Sequence, residues 1–140
     1  MRVVVDTNVL VSGLLSPFGP SAQIVRMVAS GVPAVCHDAR ILSEYRDVLL
    51  RPKFGFPQDA VDALLDQIVS SGDAVASEPL RAPLPDRDDE PFLEVAVSGR
   101  AEALITGNLK HYPREAREGA EVLSPAEFVE QYKTRTDSSR

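Results

Sequence analysis

Three consecutive valines, Val3-Val4-Val5, run straight into a carboxylate, Asp6. An unbroken apolar run of this kind reads as a strand buried on both faces, the habit of parallel sheets covered by helices on both sides. In open parallel sheets, ligands gather beyond the carboxyl ends of the strands. Asp6 is therefore placed for chemistry and poorly placed for packing. The rest of the chain must supply neighbouring strands, covering helices and partners for a charge at that crest.

Strand-like runs alternate with helical segments along the chain, which predicts an α/β fold with a parallel sheet. After the first strand, at 2–6, a short helix from Asn8 ends at the turn-rich Ser16-Pro17-Phe18-Gly19-Pro20. Ser21 caps a second helix to Ser30, and Gly31 stops it. Ala34–Cys36 is the second strand. A third helix runs from 38 or 39 to Leu50, where Pro52 bars extension. Pro57 opens a fourth helix to Ser71, with Val61, Leu64, Leu65, Ile68 and Val69 at helical spacing. Strands are expected at 74–76, 103–106 and 121–123, a proline-bearing loop at 77–88, a helix at 89–99 and a polar loop at 109–119. A last helix starts at Ser124-Pro125 and ends at Tyr132. The chain thus reads as one domain over 1–132, and 133–140, almost without apolar residues, as a disordered tail.

Bulk properties exclude several functions. A net charge of −6 argues against binding nucleic acid through a broadly basic surface. It leaves room for an enzyme acting on nucleic acid, because bound cations restore positive potential where a phosphate sits. A single cysteine, Cys36, forbids an internal disulfide and a thiolate zinc site, and fits a reducing cytoplasm. No apolar run approaches the ~20 residues of a membrane span, and no export signal precedes the first strand.

Four places carry polar residues that packing does not explain. Asp6 is the first. Glu44 is the second: Ile41, Leu42, Tyr45, Val48 and Leu49 form one helical stripe, with Glu44 at its edge and Arg40, Ser43, Arg46 and Asp47 facing outward. A carboxylate bordering the inner face is costly unless paired. The third is the run Asp86-Arg87-Asp88-Asp89. Asp89, Phe92, Leu93 and Ala96 share helical spacing, so Asp89 points with the core, although acids at a helix start are favoured on dipole grounds alone. The fourth is Thr106-Gly107-Asn108, which mirrors Asp6-Thr7-Asn8 and is expected to bring Asn108 to the same crest. Carboxylates that converge repel one another unless cations sit between them. Oxygen-only donors select hard ions such as Mg²⁺ or Mn²⁺, which activate water and stabilise phosphoryl oxygens in phosphodiester hydrolysis.

In order and spacing the four segments resemble the PIN domain ribonucleases. These are Val-Val-Val-Asp6-Thr7-Asn8-Val-Leu-Val-Ser, Leu-Ser-Glu44-Tyr-Arg-Asp-Val-Leu, Asp86-Arg-Asp88-Asp89-Glu-Pro-Phe-Leu-Glu-Val-Ala, and Ala-Leu-Ile-Thr106-Gly107-Asn108-Leu-Lys-His-Tyr-Pro. Within that family the chain is most similar to the toxin components of prokaryotic toxin–antitoxin systems. The resemblance implies a three-layer α/β/α sandwich around a mainly parallel sheet of four or five strands. It also implies a Mg²⁺- or Mn²⁺-dependent endoribonuclease of the cytoplasm, forming homodimers or higher homo-oligomers and inhibited by a small antitoxin protein. Carried over by position, Asp6, Glu44 and Asp89 would be catalytic metal ligands, with Asp86 and Asp88 as further acids of the same run. Asn108, the fourth catalytic residue so implied, stands where many relatives carry Asp; its amide oxygen can still hold a metal or its water but brings no charge. Thr7, Asn8 and Thr106 divide evenly between supporting hydrogen bonds and turn capping.

Two other readings compete. A haloacid-dehalogenase-type phosphohydrolase also begins with a strand-end Asp, but that chemistry wants an acid two residues on, where this chain has Asn8. A catalytically weak RNA- or protein-binding module is the other, supported by Asn108 and the acidic surface. His37 and His111 read as surface or loop residues and Cys36 as core. Lys110, Arg114 and Arg117 divide between phosphate contacts and a solvated loop.

Overall fold

The structure is a computed structural model describing the backbone of residues 1–138 and side chains through residue 136. Five strands, β1 (Arg2–Val5), β2 (Ala34–His37), β3 (Asp73–Ala74), β4 (Ala103–Ile105) and β5 (Val122–Leu123), form one sheet in the order β3-β2-β1-β4-β5. Every pairing is parallel. The helices are α1 (Thr7–Leu15), α2 (Pro20–Ser30), α3 (Ala39–Leu49), α4 (Gln58–Ser71), α5 (Glu90–Ser98) and α6 (Pro125–Ser138).

The strand order decides the layers. From β1 the chain steps outward to β2 and β3, then crosses back over the sheet to β4. Crossovers between parallel strands are right-handed, so reversing direction moves the connecting helix to the opposite face. Accordingly α5 lies across β1, β2 and β4, while α2, α4 and α6 pack in a row, α4 over β2 and α6 over β4 and β5. The result is the α/β/α sandwich, with Val3, Val4 and Val5 all fully buried at its centre. β1 and β4, whose connections leave in opposite directions, flank the switch point where such sheets bind ligands.

Local chemistry sets the element ends. Asp38 caps α3 by accepting the Ile41 N–H at 3.0 Å. Gly31 ends α2 at φ 94°, a conformation open to glycine. Ser124 and Glu127 form a reciprocal capping box at the start of α6.

Three expectations change. β3 sits at Asp73–Ala74, one residue earlier than the expected 74–76, because β2 presents Cys36 and His37 to those two residues. The expected loop 77–88 runs into a 3₁₀ turn at Arg87–Asp89, which delays the next helix to Glu90, and the expected loop 109–119 contains two, at Leu109–His111 and Arg114–Ala116. The segment 133–138, expected to be a disordered tail, continues α6. Helix propagation costs little once nucleated. There the Thr134 and Thr136 hydroxyls donate to the Glu130 and Tyr132 carbonyls, and Arg135 pairs with Glu102. Residues 139–140 of that tail lie outside the described residues. No described helix is long and apolar enough to cross a membrane.

Candidate metal centre

Asp6 is the hinge between β1 and α1. Its N–H donates to the Ile105 carbonyl of β4 and its own carbonyl accepts from Val9 N, so its backbone closes the sheet and opens the helix together. The side chain is only 5% exposed. Thr106 Oγ1 donates to Asp6 Oδ2 at 2.9 Å and the Tyr112 hydroxyl donates to the same oxygen at 3.0 Å. Both hydroxyls fall on Oδ2, which leaves Oδ1 without a side-chain donor among the described residues. Burial pushes the Asp6 carboxyl pKa up, and the Thr106 and Tyr112 hydroxyls oppose it.

Glu44 reaches the same crest from α3. The Tyr45 hydroxyl donates to the Val5 carbonyl, which lays α3 across the strand ends. Arg40, Ser43, Arg46 and Asp47 face solvent as the stripe predicts, and Glu44 is half-buried at its edge. Thr7 Oγ1 donates to Glu44 Oε2. Glu44 has no salt bridge among the described residues, and Arg40 pairs with Asp38 and Glu94. Burial raises the Glu44 pKa, Thr7 opposes it, and the charges of Asp6 and Asp88 raise it further.

Asp89 closes the third side. It ends the 3₁₀ turn before α5, is 9% exposed, and makes no capping bond of its own. Its pKa is pushed up to about 6 by burial first and then by the charge of Asp6. His111 Nδ1 stands 3.0 Å from Asp89 Oδ2, an oxygen that is buried and has no hydrogen bond meeting full geometry among the described residues. Asp86 and Asp88 are exposed. Asp86 shapes the turn by accepting the Asp88 N–H at 2.9 Å, and its charge reaches Asp89.

The remaining predicted residues divide. Thr7 and Thr106 hold acids of the site, as described. Asn8 Oδ1 accepts the Gly107 N–H at 3.1 Å, tying α1 to the end of β4. A Cβ on Gly107 would stand 3.3 Å from that oxygen, which is tight, so glycine lets the two segments approach. Asn108 is not opposite Asp6. The register pairs Val5 with Ile105, which makes Thr106 the facing residue, and Asn108 is exposed two positions further on. It borders a cavity of about 200 Å³ with Asn8, Ser12 and Ser21. One histidine expectation changes: His37 is buried, with neither ring nitrogen hydrogen-bonded among the described residues, and burial lowers its pKa. His111 is a half-exposed loop residue, as expected, and its ring stands beside Asp89.

Tyr112 was not visible in the sequence. It is fully buried although it sits in a polar loop, and it grips an acid 106 residues away. Its only signal is that it is the large aromatic in that stretch. Arg117 Nε donates to the Tyr112 carbonyl at 2.7 Å and so steadies the loop.

The donors fit a hard divalent cation. All are oxygens, three carboxyl pKa values are raised, and the charge of Asp6 raises both of the others. A cation relieves that repulsion and supplies a partner for Asp89 Oδ2. Among the described residues no three His, Cys, Asp or Glu side chains form a ready cage. Mg²⁺ needs none, since it keeps several waters and takes one or two carboxylates. A more apolar recess of about 370 Å³ between β4, β5 and α6 lies away from these acids.

Fold and site together define a class: a parallel α/β protein with an acidic crest at the point where strand order reverses. The sequence profile of the PIN domain family matches residues 2–110, and the chain belongs to that family. Its members are typically nucleases that bind RNA and use divalent metal ions. No curated protein matches the chain.

Proposed function

We propose that this protein is a Mg²⁺- or Mn²⁺-dependent endoribonuclease whose ligands are Asp6, Glu44 and Asp89. The observation that carries the reading is the buried, mutually repelling carboxylates of β1, α3 and the turn before α5, gathered at one end of the sheet. A divalent ion bound there lowers the pKa of water and stabilises the charge of a phosphoryl group. The chain's own groups fix the acids. Thr106 and Tyr112 hold Asp6 by Oδ2 and keep Oδ1 available, Thr7 orients Glu44, and His111 opposes the charge of Asp89. Asp86 and Asp88 act as outer acids and add negative potential, and exposed Asn108 contributes from the rim.

Asp6→Asn is expected to abolish Mg²⁺-dependent cleavage of a labelled single-stranded RNA while the circular-dichroism spectrum stays unchanged. Cleavage at the wild-type rate would sink the assignment. The four-segment resemblance extends the proposal to a toxin role in the cytoplasm, as a homodimer held in check by a small antitoxin protein. Induced expression is then expected to arrest growth, and the Asp6→Asn form is not.

The binding-module reading keeps one observation in its favour, the lack of a ready cage among the described residues. Calorimetric titration with Mn²⁺ separates the two: a nuclease loses heat of binding on Glu44→Ala, and an adaptor does not. The dehalogenase-type reading needs an acid at position 8, where the Asn8 side chain is engaged with Gly107.

A further inference from the structure

The segment Arg51-Pro52-Lys53-Phe54-Gly55-Phe56 follows α3 directly and belongs to none of the site described above. It is a built surface. Pro52–Phe54 is a 3₁₀ turn, and Gly55 at φ 67° reverses the chain so that Phe56 returns onto Phe54. The two rings stack with centroids 5.5 Å apart and an interplanar angle of 13°. Phe56 packs on the core and anchors the pair, whereas Arg51 and Lys53 are exposed. The Lys53 ammonium sits 5.1 Å from the centroid of the Phe54 ring. Lys53 has no salt bridge among the described residues, and Arg51 has one exposed partner, Asp47, at 3.2 Å.

Its place matters as much as its chemistry. The Tyr45–Val5 bond ties α3 to the end of β1, and residues 51–56 follow that helix directly. Arg51 lies just past the end of α3, the helix that carries Glu44, and pairs with Asp47 of that helix. Its charge is felt at Glu44, where it favours the carboxylate. A helix C-terminus attracts cations on dipole grounds alone, which accounts for Arg51. It does not account for an anchored aromatic pair with a lysine over it.

We infer that residues 51–56, on the turn that follows the helix carrying Glu44, are a binding platform for single-stranded RNA, where a nucleobase stacks on Phe54 and Arg51 and Lys53 meet the adjoining phosphates. The assignment rests on the ribonuclease reading above for its choice of ligand. An exposed cation–π contact is weaker than a nucleobase stacked on the same ring. The base therefore displaces the ammonium, which is left beside the backbone. In a chain of net charge −6, an RNA strand needs such local cations to approach a cluster of acids.

The test is fluorescence anisotropy of a fluorescein-labelled oligouridylate with the full chain in EDTA, which withholds metal and leaves the strand uncut, over a salt series. Phe54→Leu keeps the apolar bulk and is expected to weaken binding at least about fivefold, the low end for one base–aromatic stack. Lys53→Ala, at an exposed position, is expected to lower the slope of log affinity against log salt by about 0.7, the single-strand value for one phosphate contact. Lys133→Ala, an equal charge change on α6, is expected to leave the slope unchanged. Wild-type affinity and slope in both loop variants overturns the inference, as does a loss of slope equal to that of Lys133→Ala. Adding Mg²⁺ to the wild type tests the nuclease reading separately: RNA that is bound but never cut counts against that reading and not against the platform.

Discussion

Asp89 is the residue whose ionisation most limits the site. Its carboxyl titrates near 6, with burial and the charge of Asp6 holding it protonated. On the proposed ligand role only the ionised form would hold a cation, so acid would remove the ligand. At low Mg²⁺, cleavage is expected to rise about tenfold per pH unit below about 6 and to level off above it. Saturating Mg²⁺ favours the ionised form and moves that limb to lower pH. Rate profiles at two metal concentrations check this, and a flat profile from pH 5 to 7 at low metal contradicts it. Tyr112 acts on the neighbouring acid. Tyr112→Phe removes one of the two hydroxyls on Asp6 Oδ2. Metal affinity is expected to fall about 10–100-fold, the usual cost of losing an outer partner, with a stability loss of about 1.5–3 kcal/mol for a hydrogen bond to a charged group. Titration with Mn²⁺ and urea melts read the two effects separately.

At the scale of elements, α1, which begins at the residue after Asp6, packs closely on α2. Gly13 lies in α1 where a Cβ would stand 2.4 Å from Val25 Cγ2 and 2.5 Å from the Ser21 carbonyl oxygen of α2. The carbonyl belongs to backbone and cannot turn aside, so Gly13→Ala must push the helices apart. A destabilisation of about 1–3 kcal/mol is expected from overpacking, despite alanine's better helix propensity. A urea midpoint at or above wild type would show the pair to be more yielding than this. The same helices show what a sequence can and cannot tell. Val3–Val5, the α3 stripe and the spacing of Asp89 with Phe92 and Leu93 each carry their period locally, so Asp6, Glu44 and Asp89 were legible as inward-facing acids. The partner of Asp6 was not. Which residue of β4 faces it depends on strand register, and register placed Thr106 there in place of Asn108. Tyr112 joins across 106 residues by tertiary contact alone, with no periodic pattern to announce it. The end of α6 was missed for another reason: polarity argued for disorder, while threonine back-bonds and the Arg135–Glu102 pair sustain the helix.

For the whole molecule, the buried acids of the crest lower stability at neutral pH when no cation is bound. An acid whose pKa is raised in the folded state binds its proton more tightly there than in the unfolded chain. Its contribution is therefore greatest below the unfolded value of 3.8 and is lost as pH rises through about 6. For Asp89 alone that loss is on the order of 2–3 kcal/mol, at 1.36 kcal/mol per pKa unit, and the raised Asp6 and Glu44 add in the same direction. The metal-free protein is thus expected to melt at a lower temperature at pH 7.5 than at pH 5. A divalent ion reverses this by binding the ionised acids. At a hundredfold excess over its dissociation constant it contributes about 2.7 kcal/mol, which for a chain of this size is roughly 10 °C in Tm. Asp6→Asn separates charge from shape. The amide oxygen can take the place of Oδ2 and accept both the Thr106 and Tyr112 hydroxyls, while the repulsion felt by Glu44 and Asp89 falls. Differential scanning fluorimetry at pH 7.5 is expected to show the metal-free variant melting above the metal-free wild type, with little further rise on adding Mn²⁺. If the variant melts lower without metal, or rises with Mn²⁺ as far as wild type, then Asp6 is not the charge around which this site is organised.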